Sequence, residues 1–118
     1  MSCMRVYLDK IPEIGFGVFA REDIKKGDCV ERGIMIPLVN CDGNENPHFF
    51  TWSDDRKTWA MGSGYLPFYN HSDTPNIQKA GNLKNNTMEV IALRDITKGE
   101  ELRGTYYSKK WRKCFQDF

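Results

Sequence analysis

The chain contains one sequence unit twice. Residues 18–30 read VFAREDIKKGDCV and residues 90–102 read VIALRDITKGEEL, so the second copy starts 72 positions after the first, and six of the thirteen aligned positions are identical. Each copy joins a short apolar run to a D-I-x-K-G turn, in which glycine tolerates positive φ and an isoleucine, Ile24 or Ile96, supplies an apolar anchor. Two copies are too few for a solenoid, so the repeat predicts two strand–turn–strand corners in one domain.

The repeat also bears on GFGVFA, residues 15–20, which match the G-x-G-x-x-A fingerprint of dinucleotide-binding turns. That fingerprint requires a helix directly after the glycines. Here the following residues belong to the first copy of the repeat and predict strand and turn, so we exclude a nicotinamide dinucleotide. Glycines at positions 15 and 17 still let a backbone approach a ligand closely, although a plain tight turn would use them equally well.

The rest of the chain predicts a mainly β domain with little helix. Residues 48–52 are rich in β formers and predict a strand, with residues 58–61 as its partner strand across a polar turn. Residues 76–80 and 88–93 flank a loop with the composition of a hairpin and predict a second strand pair. The best helix candidate is the C-terminal segment 108–115, with Ser108 as its N-cap. The length of 118 residues fits a single domain, residues 1–118.

Composition excludes several classes of function. The formal net charge of +1 argues against direct nucleic-acid binding, which a strongly basic chain would favour. The four cysteines form no C-x-x-C pair, so neither a zinc ribbon nor a disulfide framework is indicated. The N-terminus lacks the apolar run of a signal peptide, and no stretch approaches 18 apolar residues. We therefore expect an intracellular, cytoplasmic protein with no membrane partner.

Two further stretches carry polar chemistry, FYNHSDTPN at residues 68–76 and GEELRGTYY at 99–107. His71 could be a base, a metal ligand or a fixed hydrogen-bonding group. Metal is the weakest option, because His48 is the one other histidine. Ser72 lacks the G-x-S-x-G elbow of a nucleophile. The paired tyrosines of the second stretch offer hydroxyls that could orient an amine, although tyrosines more often serve packing.

Taken in order, G-x-G, N-H-S-x-x-P-N and G-E-E-L followed four residues later by tyrosine resemble the SET-domain family of protein lysine methyltransferases. The resemblance covers residues 4–107, leaves a short tail at 108–118, and is greatest to the compact stand-alone SET proteins of viruses and bacteria. It implies a fold of the β-clip type, with short twisted sheets around a pseudoknot in which the C-terminal segment passes under a loop. Such threading would bring Asn70 and His71 beside residues 99–106.

The resemblance implies an S-adenosyl-L-methionine-dependent protein lysine N-methyltransferase, which transfers a methyl group in line to a lysine in a tail or loop of a partner protein. It implies the catalytic residue Tyr106, whose hydroxyl aligns the amine and the methyl group. The implied cofactor-binding residues are Gly15, Phe16, Gly17, Asn70, His71 and Trp111, although Trp111 could instead close over the acceptor lysine. The implied lining of the acceptor channel is Tyr65, Phe68, Tyr69, Gly104 and Tyr107.

The sequence departs from the family pattern near its C-terminus. Arg103, Gly104 and Thr105 stand before Tyr106 where the family usually has x-F-D. Because Gly104 replaces a bulky residue, we expect a pocket that admits di- or trimethylated product. No cysteine-rich segment follows Tyr107, so the tail or a second subunit of a homodimer would close the channel.

These departures leave a second function open, a SET-like module that binds a peptide or the cofactor without transfer. Affinity for S-adenosylmethionine and dependence of methylation on Tyr106 separate the two functions. A histone is the expected acceptor, and the nucleus the expected location, if the host is eukaryotic. A ribosomal or DNA-associated acceptor is expected in a bacterium or phage.

Overall fold

A computed structural model describes residues 5–38, 49–52 and 58–105 of the chain. In this part of the chain the structure holds nine strands and one 3-10 turn, η1 (Leu66–Phe68). The strands are β1 (Val6–Ile11), β2 (Gly15–Ala20), β3 (Cys29–Leu38), β4 (Phe49–Thr51), β5 (Trp59–Gly62), β6 (Asn70–His71), β7 (Ile77–Asn82), β8 (Thr87–Ala92) and β9 (Glu101–Gly104). Within the same residues, no helix is long and apolar enough to cross a membrane.

The strands form two sheets, with the orders β1-β2-β9-β6 and β4-β5-β3-β8-β7. The pairing is antiparallel except between β6 and β9, which run parallel. The predicted strand pairs are confirmed as β4 with β5 and β7 with β8. GFGVFA is itself strand β2, and it runs into a bend with no helix, which confirms the exclusion of a dinucleotide-binding turn. The predicted C-terminal helix lies outside the described residues.

The two copies of the repeat form matching corners that pair with each other. Ile24 and Ile96 make an antiparallel bridge in which each backbone N–H donates to the carbonyl of the other at 2.8 Å. Each isoleucine is 1% exposed. The predicted apolar anchors are therefore one buried pair, which joins the β2–β3 corner to the β8–β9 corner.

Hydrogen bonds around this pair follow the same symmetry. In each copy the aspartate carboxylate accepts from a lysine backbone N–H of the other copy, and the glycine N–H donates to an alanine carbonyl of the other copy. The bonds run from Lys26 N to Asp95 Oδ1 (2.9 Å), Lys98 N to Asp23 Oδ1 (2.8 Å), Gly27 N to Ala92 O (2.8 Å) and Gly99 N to Ala20 O (2.8 Å). Five of the six repeated residue types, Ala, Asp, Ile, Lys and Gly, thus make one contact twice.

The core lies between these corners and draws on both sheets. Strand β8 alternates half-buried and buried residues, which places Met88, Val90 and Ala92 in the core. Val18 and Leu102 face each other across β2 and β9 in the other sheet, and neither is exposed to solvent. This alternation is what a sheet with one covered face requires.

Leu66 docks the turn η1 directly onto strands β3 and β5. Its side chain is fully buried. A Cβ on Gly33 would lie 2.5 Å from Leu66 Cδ1, and a Cβ on Gly62 would lie 2.8 Å from Leu66 Cβ. Glycine at both positions therefore lets the turn approach the sheet backbone.

Substituting Gly33→Ala is expected to lower the free energy of unfolding by about 1–3 kcal/mol, because the added methyl group overpacks the core against Leu66. Urea denaturation measures the change. The matched control is Ile34→Ala, at the next position on β3, whose side chain is 62% exposed and whose loss should cost about 0.5 kcal/mol or less. Equal stability of Gly33→Ala and the wild type would show that η1 is not held against β3.

Candidate functional site

The two polar stretches of the sequence meet at the parallel pair β6–β9. Asn70 pairs with Arg103, and His71 pairs with Gly104. The contact continues past the strands, because Ser72 N donates to the carbonyl of Gly104 at 2.8 Å. The structure therefore places Asn70 and His71 beside residues 99–105, as the sequence predicted for the part of this segment that is described.

Asn76, the last residue of N-H-S-x-x-P-N, fixes the start of β9. It is 3% exposed. Its Nδ2 donates to the carbonyl of Glu101 at 2.8 Å, and its Oδ1 accepts from Arg103 N at 2.8 Å. These bonds satisfy a buried carboxamide that would otherwise be costly. Asn76 thus acts on the site by holding the strand that leads toward Tyr106.

Glu100, the residue before β9, also holds the start of that strand. Its carboxylate pairs with the guanidinium of Arg94 and accepts from Thr97 N at 3.1 Å. The hydrogen bond from Arg94, chiefly, lowers the pKa of Glu100 to about 2. The carboxylate is therefore charged at neutral pH, and the corner before β9 is closed by an ion pair.

Asn70 connects the G-x-G stretch to β9 through its side chain. Its Nδ2 donates to the carbonyl of Phe16 at 3.0 Å and to Glu101 Oε2 at 2.9 Å. The Glu101 side chain is 10% exposed, and its other oxygen pairs with Arg103 Nη2 at 2.7 Å. Glu101 was not among the predicted site residues. Its position as the second acidic residue of G-E-E-L was the signal available in the sequence.

The two glycines of G-x-G serve different purposes. Gly15 has φ +119°, which favours glycine, and a Cβ there would meet nothing within 4 Å, so the space beside it is open. A Cβ on Gly17 would lie 2.8 Å from Glu101 Oε2 and 3.2 Å from Asn70 Nδ2. Gly17 therefore makes room for the Asn70–Glu101 hydrogen bond.

Aromatic residues flank the G-x-G stretch on the side of η1. The half-exposed ring of Phe16 meets the ring of Phe68 edge to face, with centroids 6.3 Å apart and planes at 73°. This geometry is favourable for two aromatic quadrupoles. The contact ties η1, which carries Phe68 and directly follows Tyr65, to strand β2.

His71 is held by a carboxylate. Its Nε2 lies 2.7 Å from Asp73 Oδ1, and its side chain is 12% exposed whereas that of Asp73 is 83% exposed. An exposed carboxylate thus fixes the orientation of a largely buried imidazole. The assignment of His71 to cofactor binding stays a prediction.

Tyr69 is tied into the core by Glu31. Its hydroxyl donates to Glu31 Oε1 at 2.7 Å, and the N–H of Tyr65 donates to Glu31 Oε2 at 2.8 Å. Tyr69 is fully buried, and burial, followed by the charge of Glu31, raises the pKa of its phenol far above the ordinary value. The phenol is therefore neutral and its ring is fixed. Glu31 is a second residue that the sequence analysis missed, although an acidic residue in an apolar strand was a signal.

Lys79 lies beside two of the predicted channel residues. Its Nζ is 5.9 Å from the ring centroid of Tyr69 and 5.2 Å from that of Phe50. A Cβ on Gly104 would lie 3.6 Å from Lys79 Cε and 2.9 Å from Ile77 Cδ1, so these side chains occupy the space that a residue larger than glycine would fill. Lys79 is half-buried, and burial lowers the pKa of its amine to about 8.

The described residues fit the methyl donor that the sequence resemblance implies. Open space lies beside Gly15, and the half-exposed ring of the next residue, Phe16, adjoins the carboxamide of Asn70, which bonds the Phe16 carbonyl. Backbone polar groups, an amide and an aromatic surface suit a ligand that combines an amino acid with an adenine ring. Tyr106, Tyr107 and Trp111 fall outside the described residues, as do the tail and the segment that would form the pseudoknot.

Comparison with known proteins agrees with this arrangement. The model of the SET domain family matches residues 15–107. A histone-lysine N-methyltransferase of Schizosaccharomyces pombe, specific for H3 lysine-37, is 28% identical over an alignment of 104 residues that covers 82% of this chain and 69% of that protein.

Solved structures are similar as well. A candidate histone methyltransferase of Plasmodium falciparum has a TM-score of 0.70 and 28% identity, with 89% of this chain and 95% of that chain covered. The polycomb repressive complex 2 named ctPRC2, in an autoinhibited conformation bound to S-adenosylmethionine, has a TM-score of 0.71 and 23% identity over 91% of this chain and 16% of that chain. Because the family model covers most of its length, this chain belongs to the SET-domain family.

Proposed function

We propose that this protein is an S-adenosylmethionine-dependent protein lysine N-methyltransferase. The observation that carries the proposal is the junction at Asn70, whose carboxamide bonds both the Phe16 carbonyl and Glu101. It joins three separate sequence motifs across strands β2, β6 and β9, and Tyr106 follows β9 in the sequence, two residues after Gly104. A relative named as a histone-lysine methyltransferase and a fold neighbour bound to S-adenosylmethionine support it.

Each group of residues has a distinct task in this proposal. The backbone at Gly15–Gly17, with Asn70 and His71, binds the donor. When bound, the donor supplies a methyl group on a positively charged sulfur, which a neutral amine can displace directly. The aromatic surroundings of the channel favour the neutral form of the acceptor lysine by excluding water. Ser72 N donates to the Gly104 carbonyl and Thr105 Oγ1 donates to the Ser72 carbonyl, so the chain is held up to the residue before Tyr106. The task of Tyr106 is to orient the acceptor amine with its hydroxyl.

The acceptor is a lysine in a tail or loop of a partner protein. The name of the Schizosaccharomyces pombe relative makes histone H3 the first acceptor to assay. The degree of methylation remains a prediction, since the space left by Gly104 holds Ile77 and Lys79 while Tyr106 and Tyr107 lie outside the described residues. An intracellular location, in the nucleus for a histone acceptor, belongs to the same proposal, as does closure of the channel in a homodimer.

Isothermal titration with S-adenosylmethionine is expected to give a micromolar Kd, about −8 kcal/mol. Asn70→Ala should weaken binding at least tenfold, about 1.4 kcal/mol, because it frees the Phe16 carbonyl and leaves Glu101 without one of its partners. The matched control is Asn85→Ala, an exposed residue of the β7–β8 turn. It should bind the donor as the wild type does.

NADH serves as the negative ligand in the same titration. Binding of NADH with no binding of S-adenosylmethionine would contradict both the family-based proposal and the exclusion of a dinucleotide. Equal donor affinity in Asn70→Ala and the wild type would remove the cofactor-binding role of the Asn70 junction.

A further inference from the structure

A lysine of this chain occupies the region where the sequence predicted a channel for the acceptor lysine. Lys79 lies on β7 and pairs with Val90 of β8, so its backbone is fixed by the sheet. Its stem passes Gly104, and its amine reaches the ring of Tyr69. Gly104 and Tyr69 were predicted as channel residues for different reasons, and the structure brings both to this one side chain.

The surroundings of the Lys79 amine are those expected around an acceptor lysine. Two aromatic rings lie within 6 Å of Nζ, which is the range of a cation–π contact. The same kind of surface recognises methylated ammonium groups. The Tyr69 ring cannot turn away freely, because the bond from its hydroxyl to Glu31 holds it. Tyr69, a predicted channel residue, is therefore fixed beside an amine that the chain itself provides.

We propose that Lys79 is an internal methyl acceptor, modified by the active site of its own chain. This inference rests on the proposed function, because it uses the same methyl donor and the same channel. It adds a modification site to that function, at Lys79, which was not among the predicted site residues.

The reaction balances with a methylsulfonium donor as the one co-reactant. The lone pair of neutral Nζ forms the N–C bond while the C–S bond breaks, and the electron pair of that bond stays on sulfur as a thioether. The new ammonium then gives its proton to solvent, which frees the nitrogen for a further methyl group. Burial supports the first step, since an amine with a pKa of about 8 is neutral in a substantial fraction of molecules near that pH.

Mass spectrometry locates the modification directly. The full chain is incubated with S-adenosylmethionine carrying a deuterated methyl group, digested, and mapped at every lysine. We expect label on Lys79, at a rate per molecule that does not change when the protein concentration is raised tenfold. Lys79→Arg should lose that label and keep its fold by circular dichroism. Lys84→Arg, in the exposed β7–β8 turn, should leave the label on Lys79 unchanged.

Proton release on binding gives a second readout that needs no turnover. A positive sulfur beside the Lys79 amine favours its neutral form, so S-adenosylmethionine should release a proton on binding near pH 8. S-adenosylhomocysteine, whose sulfur is uncharged, should release less. Titration in two buffers of different ionisation enthalpy measures the difference, and Lys79→Met should abolish it.

The outcomes separate this inference from the proposed function. Donor binding without label on Lys79 overturns the inference and leaves the methyltransferase proposal standing. No donor binding overturns the proposed function, and the inference with it. Label on Lys79 at an undiminished rate in Tyr106→Phe, or equal label on exposed lysines such as Lys84, would show chemistry outside the active site and would also overturn the inference.

Discussion

Tyr106→Phe is expected to slow methyl transfer to a protein acceptor about 100-fold or more, while the affinity for S-adenosylmethionine stays within about threefold of the wild type. The substitution removes one hydroxyl group and keeps the ring, so it tests orientation of the acceptor amine and not packing. The proposed donor site consists of other residues, Phe16 and Asn70 in particular, which a hydrogen bond joins. Initial rates with labelled donor and histone H3, together with isothermal titration, measure both quantities.

The matched control is Tyr7→Phe on strand β1. Tyr7 stacks on Phe19 with ring centroids 5.7 Å apart, at the opposite edge of the four-stranded sheet from β6. It should retain the wild-type rate. A wild-type protein that binds the donor and methylates no acceptor would favour the module that binds without transfer. An unchanged rate in Tyr106→Phe would remove the catalytic role of that hydroxyl.

Local patterns in the sequence were sufficient to predict most of the fold. A run of β formers beside a polar turn predicted the β4–β5 pair, and a loop with hairpin composition predicted the β7–β8 pair, because antiparallel neighbours in sequence need only a short connection. The D-I-x-K-G repeat predicted two buried anchors. It could not predict that Ile24 and Ile96 bond each other, since nothing local to either copy specifies the partner.

Site residues that belong to a sequence motif were predictable, whereas residues that matter only through tertiary contacts were not. Asn70 and Gly17 stood in recognisable motifs, and the structure brings them within one hydrogen-bonded group. Glu31 and Lys79 belong to no motif. Each lies on a strand, and its importance depends on Tyr69, which lies ten residues before Lys79 and 38 residues after Glu31 in the sequence. The spacing of residues in the sequence does not reveal which side chains of distant strands will meet.

The tertiary contact between the two copies of the repeat predicts how much stability is lost when its isoleucines are truncated. Ile24→Ala and Ile96→Ala are each expected to lower the free energy of unfolding by about 2–5 kcal/mol, because each removes a fully buried side chain. Residues opposite each other in an antiparallel bridge have Cβ atoms about 5 Å apart, so the two cavities should merge. The double substitution should therefore cost less than the two single losses added together, by about 0.5–3 kcal/mol.

Urea denaturation of the wild type, both single variants and the double variant closes this cycle. Ile14→Ala is the control, because its side chain is 64% exposed and its loss should cost about 0.5 kcal/mol or less. Strictly additive losses would mean that the corners pack independently and that the repeat is two separate turns. Coupled losses would mean that the β2–β3 and β8–β9 corners are one structural unit. In that case the Ile24–Ile96 pair would also hold β2 beside β9 and would so keep Gly17 close to Glu101.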